Sequence, residues 1–290
     1  MSNNKIDRTQ DQVKSGDDHV AEVERELTTD NKTSKGGPTQ ATTITDLAKL
    51  YYDFFHSAEG TAYALVEKKV NNTGVFKQET VPLRSRLFRE YLSALYYHQT
   101  KAVASRTSID AAISVLSGET TLSGREEEVF VRLAEFEGAT WLDLADDLRR
   151  AVMITEEGWE IVSGGKIPVK FRRPLGMYAL PEPKHPKPEH VGYSLKHLLA
   201  PFLNVHNREH MQLLLTWLAF TQHTTGAYPI VCVIGEQGTA KSTMCRLLRN
   251  IVDPNQAALV SAPRNTPDLV IAANNSLVLG FDNIIEHCII

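Results

Sequence analysis

One stretch restricts what this chain can become: residues 228–243, Y-P-I-V-C-V-I-G-E-Q-G-T-A-K-S-T. Ile230, Val231, Cys232, Val233 and Ile234 form a short apolar run, which predicts a buried strand. A turn carrying Gly235 and Gly238 follows, and Lys241, Ser242 and Thr243 open a helix. Strand, glycine-bearing loop, Lys-Ser and helix are the layout of a phosphate-binding P-loop. The chemistry follows from the backbone. Successive N–H groups of such a loop converge on an anion, and the helix start adds the positive end of its dipole. Lys241 is the candidate catalytic residue, reaching the β- and γ-phosphates, and the Ser242 hydroxyl is a candidate Mg²⁺ ligand. The candidate nucleotide-binding set is Gly235, Glu236, Gln237, Gly238, Thr239, Ala240, Lys241, Ser242 and Thr243. The pattern G-x-x-x-x-G-K-[ST] asks for glycine where this chain has Ala240, which lacks glycine's freedom at positive φ. The plain alternative is a strand–helix turn whose Lys241 is only solvated.

The residues after the loop strengthen the nucleotide reading. Residues 243–252 continue the helix, and Asp253-Pro254 stops it. Ala258, Leu259 and Val260 predict a second strand, residues 268–274 a second helix, and residues 277–283 (L-V-L-G-F-D-N) a third, apolar strand ending in Asp282. An Asp at the end of a buried strand beside a P-loop is a Walker B pattern, and Asp282 is the second candidate Mg²⁺ residue. A strand–helix unit between the P-loop helix and the Walker B strand is the element order of AAA-like and helicase-like ATPases. In that branch a Glu often follows the Walker B Asp. Here the position holds Asn283, so the hydrolytic base is unassigned.

The 290 residues leave room for two domains and a tail. A net charge of -4 gives no global attraction to nucleic acid, so any such contact needs a local basic patch. No apolar run is long enough for a membrane span, and the N-terminus lacks the apolar core of a signal peptide, so a cytoplasmic location and no membrane partner are expected. Cys232, Cys245 and Cys288 show no metal-ligand spacing and read as buried free thiols.

Residues 1–42 hold almost no large apolar side chains and read as a disordered tail. Residues 43–173 read as an α+β domain of unassigned role. Ile44, Leu47, Ala48, Tyr51 and Phe55 recur at helical spacing. Two strands at 61–70 and 75–81 flank the turn signal Asn71-Asn72-Thr73-Gly74. Helices follow at 85–100 and from Thr107 to near Gly118. Hairpins are expected around Glu137-Gly138 and around Glu156-Glu157-Gly158, and Val169, Lys170 and Phe171 add a short strand. The carboxylates at 126–128, 146–147 and 156–157 read as solvated or capping groups rather than acid–base pairs. Residues 174–192 are proline-rich and read as an extended linker. Lys166, Lys170, Arg172, Arg173, Lys184 and Lys187 in and near it are either solvated or contacts for a phosphate backbone. Residues 193–290 form the P-loop domain, entered through a helix at 207–223.

The motif core, with L-R-N-I-V-D-P-N and A-P-R-N-T-P-D-L-V-I-A-A-N-N-S-L-V-L-G-F-D-N, resembles the ATPase domain of a family of ATP-binding replication proteins of bacteriophages and mobile elements, described as primase-helicase ATPases. A weaker likeness runs upstream through P-L-R-S-R-L-F-R, W-L-D-L, F-R-R-P-L-G-M and P-F-L-N-V. The resemblance implies an α/β P-loop NTPase core of AAA-like or superfamily-3-like type, ATP and Mg²⁺ as cofactors, DNA as a partner and a homo-oligomeric ring. It also implies that Gly235, Gly238, Lys241, Ser242 and Asp282 hold the nucleotide and metal. Only residues 284–290 follow the Walker B strand, so a C-terminally truncated member with an incomplete parallel sheet is expected. Such a chain lacks a sensor residue and an arginine finger, and its turnover is doubtful. Two other readings compete: a P-loop kinase, and a non-catalytic DNA-binding or assembly module with a vestigial nucleotide site.

Overall fold

Side-chain caps set the starts of the first three helices among the described residues. In the computed structural model, which describes residues 37–69, 76–185, 187–188, 191–192 and 194–284, α1 (Gln40–Tyr51) begins where Thr39 accepts from the Thr42 N–H. Ser85 does the same for Phe88 at the start of α2 (Arg86–Thr100), and Ser105 for Ser108 at the start of α3 (Arg106–Ser123). Each cap satisfies an N–H that an α-helix leaves unpaired. Arg84–Glu119 and the described residues up to Tyr52 form one compact unit. Its interior is the apolar stripe of each helix: Ile44, Leu47 and Ala48; Phe88, Leu92 and Tyr96; Ile109, Ala112, Ile113 and Leu116. Arg89 reaches Asp110 at 2.9 Å and Lys49 reaches Glu119 at 2.6 Å. Tyr52 packs edge-on to Phe88, and burial pushes its hydroxyl pKa up to about 12.

The second unit holds the described residues of 53–83 and those from Thr120 onward. One sheet has the order β3-β2-β1-β4, with β1 (Asp53–His56), β2 (Ala62–Lys69), β3 (Phe76–Pro82) and β4 (Arg125–Glu126). A second runs β6-β7-β8-β9 as an antiparallel meander of β6 (Leu133–Phe136), β7 (Ala139–Asp143), β8 (Ala151–Thr155) and β9 (Gly158–Val162). β5 (Val129–Phe130) pairs in parallel with β10 (Lys170–Phe171). Alternation buries Ala139, Trp141 and Asp143 of β7, where Ala134, Ala151 and Val169 join the apolar core. Further on come α4 (Leu195–Leu199), α5 (Arg208–Phe220), α6 (Lys241–Val252), β11 (Val260–Ser261), α7 (Thr266–Asn274) and β12 (Phe281–Asp282). β11 and β12 pair in parallel, with Ser261 opposite Asp282. Met211, Leu214 and Leu218 of α5 pack with Leu248 and Val252 of α6, and Val231, Leu277 and Val278 close that core.

Several expectations meet a different structure. Residues 1–36, the turn at 71–74 and Cys288 lie outside the described residues. The expected tail overlaps α1, because Gln40, Ala41 and Thr42 carry no large apolar group yet make its capped first turn. Phe55 is not the last residue of a helical stripe. It is buried in β1, which non-local pairing with β2 and β4 recruits into a sheet. The helix expected to end near Gly118 runs on to Ser123. The strand expected across Val129–Leu133 is broken at Arg132, whose φ is 67°. Most notably, residues 227–236 form no strand. Ile230 and Ile234 are 88% and 90% exposed, and Cys232 is exposed rather than buried. Val231 packs inward while its neighbours do not, the alternation of an extended segment with one covered face.

Candidate functional site

α6 starts differently from the other long helices. α5 and α7 begin on Asn207 and Asn265, whose side chains accept from first-turn N–H groups. The N-cap of α6 is Ala240, which offers no acceptor. Its first-turn N–H groups therefore face outward without a side-chain cap, at the positive end of a helix of 12 residues. The loop before it turns on Gly238 at φ 84° and on Ala240 at φ 61°. So the position where the P-loop pattern has glycine does adopt a glycine-like conformation here, with alanine in it.

The side chains that sequence reasoning singled out fall into two groups. Lys241 folds back over its own loop, donating to the carbonyls of Gly235 at 2.6 Å and Glu236 at 2.5 Å. Thr239 Oγ1 donates to Glu236 O, so the loop is braced from within. A Cβ on Gly235 would meet Thr239 Oγ1 at 3.1 Å. Ser242 Oγ donates to Asp282 Oδ1 at 3.0 Å, although 40 residues separate them. Both are half-buried, while Gly235, Glu236, Gln237, Gly238, Thr239, Ala240 and Thr243 are exposed. Asp282 Oδ1 also accepts from the Asn283 N–H. The Cys245 thiol, one turn along α6, is pushed up in pKa by burial first and by the Asp282 charge second.

Close backbone approach brings Asp282 there. Val260 N donates to Gly280 O at 3.0 Å. A Cβ on Gly280 would lie 2.8 Å from Ala258 O and 2.7 Å from Leu259 Cδ2. Only glycine lets β11 and the approach to β12 lie so close. α7 supplies the crossover that makes the two strands parallel.

Sequence reasoning missed a polar network behind this arrangement. Arg132 is fully buried and bonds to Asp253 Oδ1 at 3.2 Å, Asp143 O at 3.1 Å and Tyr178 O at 2.8 Å. Asp253, also fully buried, ends α6, and its Oδ2 accepts from the N–H groups of Leu277 and Val278. Burial pulls the Arg132 pKa down, and the charge and hydrogen bond of Asp253 oppose that pull. The signal was local and weak: an Asp before a proline, read only as a helix stop.

The proline-rich stretch is bonded at several described positions. Tyr178 N donates to Pro254 O, Gln256 N to Gly176 O and Leu180 N to Leu144 O. Two of the basic residues just before it are engaged within the protein. Arg172 holds Asn275 Oδ1 at 2.8 Å, and Arg173 grips both oxygens of Asp143. Among the described residues no group of three or more His, Cys, Asp or Glu side chains could hold a metal ion. Ser242 and Asp282 together offer too few oxygens to complete a metal shell by themselves. None of the described helices is long and apolar enough to cross a membrane. The chain matches no family model, and no curated protein matches it.

Proposed function

We propose that the chain binds ATP with Mg²⁺ at the start of α6 and belongs to the helicase-type P-loop ATPases of DNA replication in phages and mobile elements. The observation that carries the reading is the 3.0 Å hydrogen bond between Ser242 and Asp282. A hydroxyl from a helix's first turn and a carboxylate from a strand end meet directly beside an uncapped helix start. Mg²⁺ prefers such a pair of oxygens, completed by phosphate and water.

The residues present fit a nucleotide. The phosphates would rest on the N–H groups of residues 238–243, and Lys241 would exchange its two carbonyl contacts for phosphate oxygens. Bound Mg²⁺ supplies charge neutralisation to the β- and γ-phosphates. The chain's part is to orient the phosphates on the loop, to hold Ser242 and Asp282 in reach, and to place Lys241 over developing charge. Action on DNA, a homo-oligomeric ring and a cytoplasmic location complete the proposal.

Lys241→Ala tests the site. Binding of a fluorescent ATP analogue should weaken by at least about tenfold, since a charge-assisted contact contributes about 1.5–3 kcal/mol. Unchanged affinity in a folded variant removes Lys241 from the site. Asp282→Ala should abolish the gain in affinity that Mg²⁺ provides while leaving Mg²⁺-free binding in place.

A further inference from the structure

Arg132 lies far from the loop in sequence, yet its contacts converge on the rear of the same arrangement. Its fork joins four backbone or carboxylate partners: Asp253 Oδ1, Asp143 O, Tyr178 O and Pro254 O. Asp253 divides its carboxylate. One oxygen takes Arg132, and the other takes the Leu277 and Val278 N–H groups that lead into β12. Arg249, one turn earlier on α6, holds Ala258 O and Ser276 Oγ at 3.2 Å each.

Two arms leave Asp253. Along α6, the eleven helical steps from Asp253 back to Ser242 span about 16 Å. Along the other arm, the five steps from Leu277 to Asp282 reach at most about 17 Å. The arms are pinned together at Asp253 and meet again where Ser242 donates to Asp282. A tilt of about 5° at the pinned end moves the far end by about 1.4 Å, and misplacement on the order of 1 Å is enough to cost a site heavily.

We propose that Arg132 is a positioning residue for the nucleotide site: by holding Asp253 it fixes the two arms against each other and so sets the Ser242–Asp282 spacing on which Mg²⁺ depends. The proposal rests on the nucleotide-binding reading of the α6 start. It assigns the residues around β5 to β7 a part in that site, because Arg132 enters from the break between β5 and β6 at φ 67°. Phosphate contact is separable from this effect. Lys241 and the loop N–H groups sit at the free end of α6 and need no register with β12.

The test uses Arg132→Lys in the full chain. It keeps the charge but loses the planar fork that serves Asp253, Tyr178 and Pro254 together. A fluorescent ATP analogue is titrated with excess Mg²⁺ and again in EDTA, for parent and variant. The Mg²⁺-free dissociation constant should change less than about twofold. The ratio of the two constants should fall by about 10-fold or more, the range found when groups behind a metal ligand are altered. Amide exchange at Leu277 and Val278 should quicken without ligand. A purely structural loss lowers the folded fraction and weakens both titrations together, leaving the ratio fixed. A fixed ratio overturns the proposal. If Arg132→Lys does not fold, Asp253→Asn reads the same ratio, since it keeps an oxygen for Leu277 and Val278 but removes the charge that Arg132 pairs. An unmoved ratio there also overturns it. A parent chain that binds the analogue neither with Mg²⁺ nor without it overturns the nucleotide reading itself, an outcome distinct from a binding parent with an unresponsive variant.

Discussion

Replacing Ala240 by glycine should stabilise the protein, although it deletes a methyl group and adds backbone freedom. Ala240 stands at φ 61° and ψ 23°, in the left-handed region. An L-residue with a Cβ is disfavoured there by about 1–2 kcal/mol. Glycine escapes that term but loses more conformational entropy on folding, a penalty of about 0.5–1 kcal/mol. Ala240 is exposed, so its methyl contributes little packing. The difference centres on a net gain of about 0.5–1 kcal/mol, within outer limits of about 0–1.5 kcal/mol. In urea, with a slope of about 2 kcal/mol per molar, the unfolding midpoint should rise by about 0.3–0.5 M at constant slope. Ala240→Val should move it down by more, because a β-branched side chain tolerates positive φ worst. Ala219→Gly in the last turn of α5 controls for glycine itself. It sits in regular right-handed helix and should cost about 0.5–1 kcal/mol. If glycine at 240 lowers the midpoint as glycine at 219 does, the loop is not held left-handed in solution and the strain argument is wrong.

Local geometry gives two further outcomes. Gly280→Ala places a Cβ 2.8 Å from Ala258 O, which as backbone cannot step aside; it should destabilise by about 1–3 kcal/mol and weaken Mg²⁺-dependent nucleotide binding, read by urea melts and titration. Burial raises the Tyr52 pKa to about 12. Between about pH 10 and 12 the unfolded chain releases a proton that the folded chain keeps, so this contribution is full below about pH 10 and is lost as pH rises through about 12. Tyr52→Phe should flatten that part of the stability–pH curve.

Much of the fold was legible because it is local. The hairpins β6–β7 and β8–β9 turn at Glu137-Gly138 and around Glu157-Gly158, where alternating apolar runs meet turn residues. α2 starts beside its Ser85 cap, and α5 is close to the expected helix, shorter at both ends. What failed was non-local. β1 becomes a strand only because β2 and β4 flank it, and Phe55 happened to continue the helical spacing of α1. The run 230–234 is the opposite case. Its apolar pattern predicts a buried strand, but a strand needs a neighbour, and the described residues provide no ladder for it. Trp217 and Tyr228 tether the entry to this segment, through Pro229 O and His223 O, without supplying one.

The candidate site divides along the same line. Its front was legible in one contact: motif spacing singles out Ser242 and Asp282, and the two do meet, whereas Lys241 bonds its own loop. Its rear was not readable, because nothing in V-F-V-R-L marks Arg132 as buried. An arginine in a half-buried strand is ordinarily solvated at its tip. Here positive φ breaks the strand at that residue, and the fork finds Asp253 and the carbonyls of Asp143, Tyr178 and Pro254. Leaving either charge without the other inside would cost several kcal/mol, so the pair persists only as a pair. That coupling ties the proline-rich stretch, the end of α6 and the approach to β12 into one polar cluster. On the nucleotide reading, the metal side of the site therefore depends on a residue 121 positions before the aspartate it holds.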